Sequence, residues 1–367
     1  MMNADQNIIH VRHAVLDEVA KYALEGTLDE KRDEIPYHLI PGPTPAFRCC
    51  IYKEREIIRE RVKLAEGKTL HGNSEGNVMQ VIESACADCP ISAYTVTENC
   101  QNCIGKACIN ACKFGAISPG HYRSHIDAQK CKECGKCAAA CPYNAIAYLK
   151  RPCKNSCPVD AITYDENGIS VIDDKKCIRC GRCIHRCPFA AIGSKTFIVD
   201  VINAMKDPEK NIYIMAAPAS EAQYGAKITQ ASWKKAMKEM GCADYVEVAL
   251  GADMTAVSES EEWLEAYEKG QKKVTSCCPG FVNMVHKHFP TLADAVSTTV
   301  SPMCAVSRMI KAKDPKAVTV FVGPCVAKKS EVLDQKIEGN ADYVLTYGEI
   351  RAMIRGKNIE IEPEENT

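Results

Sequence analysis

The sequence predicts a chain of three parts that combines α+β and α/β structure. Residues 1–80 are charged, and the stretch from Arg48 to Gly67 has apolar residues at helical spacing, which indicates a helical amino-terminal region. Residues 81–195 contain near-identical cysteine repeats, which are typical of a small, metal-rich α+β region. Residues 196–367 alternate short apolar runs with amphipathic segments, the pattern of βα units with a mainly parallel sheet.

Length and charge exclude several classes of protein. The chain has 367 residues, enough for two or three domains, and its net charge of −1 favours neither a nucleic-acid partner nor a membrane surface. No apolar run approaches the length of a membrane span. The first residues, "MMNADQNIIHVRHAVLDEV", do not resemble a secretory signal, so we expect a cytoplasmic protein.

Cysteine is unusually frequent, with 23 residues in the chain. In an oxidising compartment such a number would suggest disulfides, but nothing in the sequence predicts export. In a reducing compartment, clustered cysteines more often bind metal ions or iron–sulfur clusters. The positions of the cysteines therefore predict the chemistry of the chain.

Two near copies of one motif begin at Cys131 and Cys177, "CKECGKCAAACP" and "CIRCGRCIHRCP". A third copy with a longer middle gap begins at Cys100, and a half copy begins at Cys153. The spacing C-x2-C-x2-C-x3-C-P is that of bacterial ferredoxins, in which three cysteines bind one [4Fe–4S] cluster and the fourth binds its neighbour. A zinc site needs only four ligands and has no use for the trailing Cys-Pro, which makes zinc the weaker alternative.

Sixteen cysteines can be grouped into four [4Fe–4S] sites. The first site comprises Cys100, Cys103, Cys108 and Cys141; the second Cys131, Cys134, Cys137 and Cys112; the third Cys86, Cys89, Cys153 and Cys187; the fourth Cys177, Cys180, Cys183 and Cys157. This grouping predicts one two-cluster module inserted into another, between Cys89 and Cys153. Four clusters would form an electron wire or store, although some of them could serve only to hold the fold.

The α/β region contains two cysteine loops. Adjacent Cys277 and Cys278 lie in "KVTSCCPGFV", after an apparent strand, and Cys325 follows the apparent strand "KAVTVFVGPC". Neighbouring cysteines rarely form a disulfide with each other. Ligands of open α/β sheets bind at the carboxyl ends of strands, where "AAPAS" could join these loops. Thiols brought to one sheet edge suggest a metal centre.

The motifs "TSCCPGF", "GPCVAKKSE", "APAS" and "GADMT" closely resemble the catalytic domain of the [FeFe] hydrogenases. The resemblance covers roughly residues 80–360, because members of that family often carry ferredoxin-like modules at the amino end. Phe281 and Gly323 replace the usual Trp and Met, which is similar to the group B branch. We expect Gly323 to loosen the packing over the di-iron unit and to alter its potential or catalytic bias.

The resemblance implies roles for the residues of this site. Cys278 and Cys325 would bind the cube of the H-cluster, and Cys277 would face the di-iron unit as a proton donor. Lys328 would donate to a cyanide ligand of that unit, which Ala217 and Pro218 would line. A thiol is a usable general acid because its ordinary pKa is near neutral.

Proton delivery is also implied by the resemblance. The family passes protons through glutamates and a serine, and the matching residues here are Glu259, Glu262 and Ser297. Glu259 and Glu262 are three residues apart, hence on one helix face. Ala266 takes the place of the arginine often found near the outer end of the relay, so the resemblance does not identify where the relay reaches the surface. Without the resemblance, the two glutamates would read as a solvated helix face.

The resemblance fails at one point. The family has a third motif with two further cysteines, one of which bridges the cube to the di-iron unit, but no cysteine follows Cys325 here. The chain is therefore expected to be incomplete for catalysis. It could be a fragment of a longer protein, one part of a split enzyme, or a protein that has lost catalysis.

The predicted function is reversible reduction of protons to H2. Electrons would come from ferredoxin or a similar carrier through the four clusters to the H-cluster, which maturation proteins would assemble. The alternative is an electron-transfer or redox-sensing subunit with a non-catalytic hydrogenase-like domain; a role in iron–sulfur assembly is disfavoured by the long ferredoxin block. Among the remaining cysteines, Cys49 and Cys50 are predicted to be buried structural residues, and Cys242 and Cys304 to be packed in the core.

Overall fold

The amino-terminal region is helical, as predicted. The computed structural model describes residues 4–87, 89, 94–221 and 223–364. The helices of this region are α1 (Ala4–Glu25), α2 (Leu28–Lys31), α3 (Ile35–Leu39) and α4 (Ile51–Ala65). Helix α4 turns Ile57 and Leu64 toward the cysteine-rich region, whereas Ile58 and Val62 face the sheet domain. The region thus contacts both of the other parts of the chain.

The cysteine-rich region consists of short strands and single-turn helices. Its elements are β1 (Met79–Val81), α5 (Glu83–Cys86), β2 (Tyr94–Val96), α6 (Ala107–Ala111), β3 (Ile117–Ser118), β4 (His125–Ile126), α7 (Lys136–Ala140), β5 (Ile146–Tyr148), α8 (Pro152–Ser156), β6 (Ile162–Tyr164), β7 (Ser170–Ile172), α9 (Arg182–Arg186) and β8 (Ile192–Ser194). The cores of this region are small and contain cysteines beside apolar side chains; Cys137, for example, packs with Ile117, Ile126 and Ile146.

Strand pairing divides this region into two nested modules. In the inner module, β2 pairs with β5 and β3 pairs with β4. In the outer module, β1 pairs with β8 and β6 pairs with β7. All four pairs are antiparallel, and the whole inner module lies in the chain between β1 and β6 of the outer one. The architecture is that of one ferredoxin-like module inserted into another.

The remaining residues form an α/β domain. Its elements are α10 (Ile198–Lys206), β9 (Asn211–Ala216), a 3-10 turn (Pro218–Ser220), α11 (Gln230–Met240), β10 (Asp244–Glu247), α12 (Ala249–Glu268), α13 (Pro279–His288), a second 3-10 turn (Pro290–Ala295), α14 (Pro302–Lys313), β11 (Ala317–Val322), α15 (Lys328–Glu331), β12 (Tyr343–Leu345) and α16 (Tyr347–Gly356). The sheet has the order β10-β9-β11-β12 with every pair parallel, which confirms the predicted α/β class.

The order of the strands creates a crevice at one sheet edge. Strands β9 and β11 are neighbours, although β10 lies between them in the chain. Their carboxyl ends are joined by a hydrogen bond from the backbone N–H of Ala217 to the carbonyl of Val322, 2.9 Å. A switch in strand order of this kind opens a ligand crevice beyond the strand ends. "AAPAS" and the Cys325 loop therefore share one edge, as predicted.

The strand predicted before Cys277 is absent from the described residues around it. Val274 makes a single parallel bridge with Val296, and residues 275–278 are irregular. This prediction was wrong because β-type residues form a strand only where a partner is available for pairing. Here the partner segment offers one bridge, and the cysteine loop leads directly into α13.

One hydrophobic core joins the two ends of the chain. Val19 and Ala20 of α1 are completely buried in the cluster that includes Ile350 and Met353 of α16. The core continues under the sheet through Ile214 of β9. None of the helices in the described ranges combines the length and apolar character needed to cross a membrane.

Candidate functional site

The four repeats place a backbone N–H on the last cysteine sulfur of each run. The N–H of Ala116, Ala145, Ala161 and Ala191 donates to the Sγ of Cys112, Cys141, Cys157 and Cys187 at 3.4, 3.4, 3.2 and 3.3 Å. In every copy the residue before this donor has a positive φ, between 47° and 60°. The shared geometry shows that even the half copy is a structural repeat. Such N–H···S bonds stabilise thiolates and tune iron–sulfur clusters.

The second site is brought together in the structure. Cys112, Cys131, Cys134 and Cys137 line one small cavity. Burial raises the pKa of Cys137, and neighbouring Cys131 and Cys112 raise it further. Gly135 is needed here, because it has φ of 74° and a Cβ on it would lie 2.7 Å from the hydroxyl oxygen of Tyr94. The cavity has the sulfur ligands that one cluster requires.

The fourth site has the same character. Cys157, Cys177, Cys180 and Cys183 line a second small cavity. Burial raises the pKa of Cys183 to about 12, with added repulsion from Cys177, Cys180 and Cys157. Thiols whose ionisation is unfavourable gain from a cationic metal core, because the metal stabilises the thiolates.

The third site combines the distant cysteines that the nested grouping predicts. Burial raises the pKa of Cys89; Arg151 lowers it, and Cys153, Cys86 and Cys187 raise it. Ser170 links two of these thiols, since its N–H donates to Cys86 Sγ at 3.4 Å and its hydroxyl oxygen lies 3.8 Å from Cys153 Sγ.

The cysteines of the first site are neither fully buried nor exposed. Cys100, Cys103, Cys108 and Cys141 are all half-buried, and Ser124 Oγ lies 3.8 Å from Cys108 Sγ. Its grouping stays a prediction. Within the described ranges no three His, Cys, Asp or Glu side chains converge as they do on a single metal ion. A [4Fe–4S] cube binds each of its four thiolates on a different iron atom, and the four-cysteine cavities of the second and fourth sites offer such a set of ligands.

The vicinal cysteines lie at the start of a helix. Cys278 is the residue before α13, with Pro279 in the first turn, and both thiols are exposed. Thr275 Oγ1 lies 3.7 Å from Cys277 Sγ. Cys325 follows β11 and is half-buried. Ala217 is buried at the end of β9, and Pro218 begins the 3-10 turn beside it.

Helix α13 connects this edge to the fourth site. Lys287 donates to the carbonyls of Asp174 and Cys177, both at 2.7 Å. A Cβ placed on Gly280 would lie 3.9 Å from the Cβ of Cys180. Gly280 is two residues from Cys278, so the loop of the fourth site packs directly against the helix that begins at the vicinal cysteines.

The two predicted relay glutamates are held in place rather than solvated. Glu259 accepts a hydrogen bond from the N–H of Ser276, 3.1 Å, and Ser276 precedes Cys277. Glu262 accepts hydrogen bonds from Ser297 and from Thr298. The structure thus brings Glu262 and Ser297 together and joins Glu259 to the cysteine loop.

Hydrogen bonding determines the charge of Glu262. Partial burial alone would raise its pKa, but hydrogen bonds from Ser297, Thr298 and Lys273 outweigh that effect and lower it to about 2. Lys273 Nζ lies 3.3 Å from the carboxylate. Sequence reasoning missed Ser276, Lys273 and Thr298, whose contacts depend on a loop that no periodicity predicts.

Lys328 is buried and paired. Its ammonium donates to Glu331 at 2.6 Å, and Glu331 also accepts from Ser301. The neighbouring Lys329 is completely buried, bonds to Glu349 of α16 and donates to the carbonyl of Lys195 at 2.8 Å. This second pair ties the cysteine-rich region to α16, and its only sequence signal is the doubled lysine.

Gly323 is closely packed against its protein neighbours, whereas the expected effect on the di-iron unit, its potential and its catalytic bias stays a prediction. A Cβ on this residue would lie 2.7 Å from the ring of Phe321 and 3.1 Å from the Cβ of Ala217. The aromatic ring therefore fills the space beside the glycine, and the packing is close rather than loose. The glycine permits this contact because it has no side chain.

The remaining cysteines divide into two pairs. Cys242 and Cys304 are buried in the core, as predicted. Cys49 is exposed and Cys50 is half-buried, so the prediction that both are buried was wrong. They lie in the loop before α4, which buried Glu54 holds by accepting the N–H groups of Ala46 and Arg48. The carboxylate orders the loop, and the cysteines are left on its surface.

Comparison with known families gives three matches along the chain. Residues 210–367 match the iron only hydrogenase large subunit, C-terminal domain. Residues 147–198 match the LdpA Fe-S cluster-binding domain, and residues 123–146 match a 4Fe-4S binding domain. The order of these matches agrees with the cysteine-rich region followed by the α/β domain.

Curated relatives extend the comparison across most of the chain. Iron hydrogenase 1 of Clostridium pasteurianum is 31% identical over 256 residues, which cover 64% of this chain and 44% of the relative. NADP-reducing hydrogenase subunit HndD of Solidesulfovibrio fructosivorans is 27% identical, covering 75% of this chain and 43% of the relative. The chain thus spans less than half the length of these relatives. A solved structure of apo [FeFe]-hydrogenase HydA1 from Chlamydomonas reinhardtii matches 44% of this chain and 48% of its own, with 24% identity and a TM-score of 0.40.

Proposed function

Because the chain is an [FeFe] hydrogenase-like protein, we propose that it conducts electrons through four [4Fe–4S] clusters to a hydrogenase site at the crevice of its sheet. The reaction is 2 H⁺ + 2 e⁻ ⇌ H2, with electrons supplied by ferredoxin or a similar one-electron carrier in the cytoplasm. The observation that carries this proposal is the packing of the fourth-site loop on α13, next to Cys278. Electron transfer requires clusters at short distances through packed protein, and that contact supports such a path.

The crevice residues fit the H-cluster as far as this chain supplies them. Cys278 and Cys325 would hold two corners of its cube, and Ala217 with Pro218 would line the di-iron subsite. When bound, the H-cluster supplies the metal centre at which electrons and protons combine. Buried Lys328 would place its ammonium near the anionic ligands of that centre, with Glu331 fixing its orientation. The two remaining cube ligands would come from a further polypeptide segment.

Proton movement would use the exposed thiol of Cys277. Ser276 and Glu259 lie next along the path, followed by Glu262 and Ser297. Since Glu262 is ionised at neutral pH, it would pass a proton only by accepting one briefly from Ser297 or from water. Its hydrogen bonds keep the carboxylate in position for that transfer.

The proposal is tested with protein made anaerobically, alone and together with hydrogenase maturation proteins. Four clusters predict about 16 iron atoms and 16 sulfides per chain. The protein completed with a segment that supplies the two further cysteines is expected to show infrared bands of carbonyl and cyanide ligands and to evolve H2 from reduced ferredoxin. Fully loaded protein without those bands would overturn the hydrogenase assignment.

A second candidate is an electron-transfer or redox-sensing subunit. The observation that favours it is that sixteen of the 23 cysteines can be grouped into [4Fe–4S] sites of the cysteine-rich region. In that case the chain would hold four reducible clusters and produce no H2 even with every partner present. Reduction of all four clusters by ferredoxin, without infrared bands after maturation, would select this function.

A further inference from the structure

Two arginines from the amino-terminal helices reach the loop that contains Cys187. Arg12 of α1 donates to the carbonyls of Ile184 and Ile192, at 3.0 and 3.4 Å. Arg61 of α4 donates to the carbonyl of Ala190. These three carbonyls lie on both sides of Cys187 in the sequence. The two guanidinium groups therefore hold the segment that presents one thiol of the third site.

In the described part of the chain, both guanidinium groups donate to backbone carbonyls and neither donates to a carboxylate. Arg61 is only 7% exposed, and Arg12 is half-buried. The Nε atoms of both are buried and have no hydrogen-bond partner in the described part of the chain. Glu60 affects Arg61 only through its field, because its carboxylate is bonded to Ser84.

Two buried like charges destabilise each other unless an anion compensates them. Burial, and to a lesser degree Arg12, lower the pKa of Arg61 to about 9, although Cys187 and Glu60 act to raise it. Burial also lowers the pKa of Arg12, and Cys187 again acts to raise it. Cys187, in the segment that both guanidinium groups hold, therefore lies close enough to interact electrostatically with each of them, and Arg61 stays charged at neutral pH.

We propose that Arg12 and Arg61 raise the reduction potential of the cluster at the third site, which makes that cluster the preferred electron store of the chain. The inference rests on the proposed function in one respect, namely that Cys86, Cys89, Cys153 and Cys187 bind a [4Fe–4S] cluster. With four thiolates, such a cluster gains one electron from the carrier and passes from a net charge of about −2 to about −3, with no bond formed or broken. Buried cations stabilise the more negative state, so reduction becomes easier.

The position of the two arginines gives the amino-terminal helices a role beyond packing. Helices α1 and α4 bring the charges from outside the cysteine-rich region, and neither arginine belongs to a cluster-binding motif. Electrons that enter the chain would collect at the third site before moving on to the fourth site and α13. The helices would thereby set where an electron resides in the chain between two transfers.

The test is an EPR-monitored redox titration of the full chain with all clusters loaded. Arg12→Met and Arg61→Met remove the charge and keep much of the side-chain volume. Each is expected to lower one midpoint potential out of four by about 59 mV or more, a tenfold change in the ratio of reduced to oxidised cluster. The shift should persist in 1 M salt, since salt screens exposed charges far more than buried ones.

Matched variants separate charge from packing. Arg12→Lys and Arg61→Lys keep the charge and are expected to retain the wild-type potentials. Arg351→Met is the control, because Arg351 also has a buried Nε without a partner but stacks on Tyr224, away from the clusters. It should leave all four potentials unchanged. If a methionine variant loses iron, the lysine variant at that position is measured instead. Wild-type potentials in the lysine variant would support the role of the charge, and shifted potentials would contradict it.

The results distinguish this inference from the proposed function. Wild-type protein with fewer than four clusters by iron and sulfide analysis would refute the proposed cluster content. Four clusters with unchanged potentials in both methionine variants would overturn the role of the arginines alone. Equal shifts in the methionine and lysine variants would also overturn it, because they would assign the effect to packing.

Discussion

The hydroxyl of Ser297 donates a hydrogen bond to the carboxylate of Glu262, 35 residues away in the sequence. Thr298 and Lys273 also donate to this carboxylate. The arrangement anchors α12 to the segment after the second 3-10 turn. It also keeps Glu262 ionised, because every one of these donors favours the charged form. The Ser297–Glu262 hydrogen bond therefore connects two segments of the fold, and the same pair is a candidate step in proton transfer.

Glu262→Gln is expected to destabilise the chain by about 1 kcal/mol at pH 7, since charge-assisted bonds are replaced by neutral ones. The folded pKa of Glu262, about 2, lies below its ordinary value of 4.5. Its stabilisation is therefore fully present above pH 4.5 and is lost as the pH falls toward 2. Urea unfolding under anaerobic conditions should give the same difference at pH 6 and pH 8.

Glu261→Gln provides the control for this measurement. Glu261 is exposed on the same helix and should change the free energy of unfolding by less than about 0.5 kcal/mol. A difference between wild type and Glu262→Gln that changes steeply between pH 6 and pH 8 would contradict the low pKa of Glu262.

The sequence predicts the cysteine-rich region better than the crevice. The repeated spacing after Cys131 and Cys177 leaves few ways to pair the runs, so the nested modules follow from counting. The loop before Cys278 has β-type residues but one bridge, at Val274, because strand formation depends on a partner that the sequence does not reveal. Contacts such as Arg61 with the carbonyl of Ala190 join positions 129 residues apart, and no local pattern encodes them.

Gly323→Ala is expected to destabilise the chain by about 1–3 kcal/mol, because the added Cβ collides with the ring of Phe321. Combining it with Phe321→Leu should recover part of the loss, since the smaller side chain vacates the space. Urea unfolding of the single and double variants measures the coupling. A Gly323→Ala chain as stable as wild type would show that the ring moves aside without cost.

Lys329→Met is expected to cost about 3–5 kcal/mol, because it leaves the buried carboxylate of Glu349 without its cation. Glu349→Gln should cost less, as the amide can still accept from the N–H of Thr346, where the carboxylate accepts at 2.8 Å. The double variant should be less unstable than the sum of the two single changes. Additive losses would mean that the two side chains do not interact.

The grouping of the cysteines can be tested by counting iron in single and double serine variants. Cys86→Ser and Cys187→Ser are expected to remove the same cluster, so that each variant and their combination lose about four iron atoms. Cys112→Ser and Cys141→Ser are expected to remove different clusters, because each residue ends one run and completes the site of the other. The variant that combines both substitutions should lose about eight iron atoms.

Iron and sulfide analysis of anaerobically reconstituted chains gives these counts, and EPR shows which signals disappear. Cys112 and Cys141 accept equivalent hydrogen bonds from Ala116 and Ala145. A difference in iron loss between these two variants would therefore not come from the local hydrogen bonding of the sulfur. If the Cys86 and Cys187 variants lost eight iron atoms together, these residues would serve separate clusters. The nested modules would then share their ligands in another way, although the strand pairing would stand.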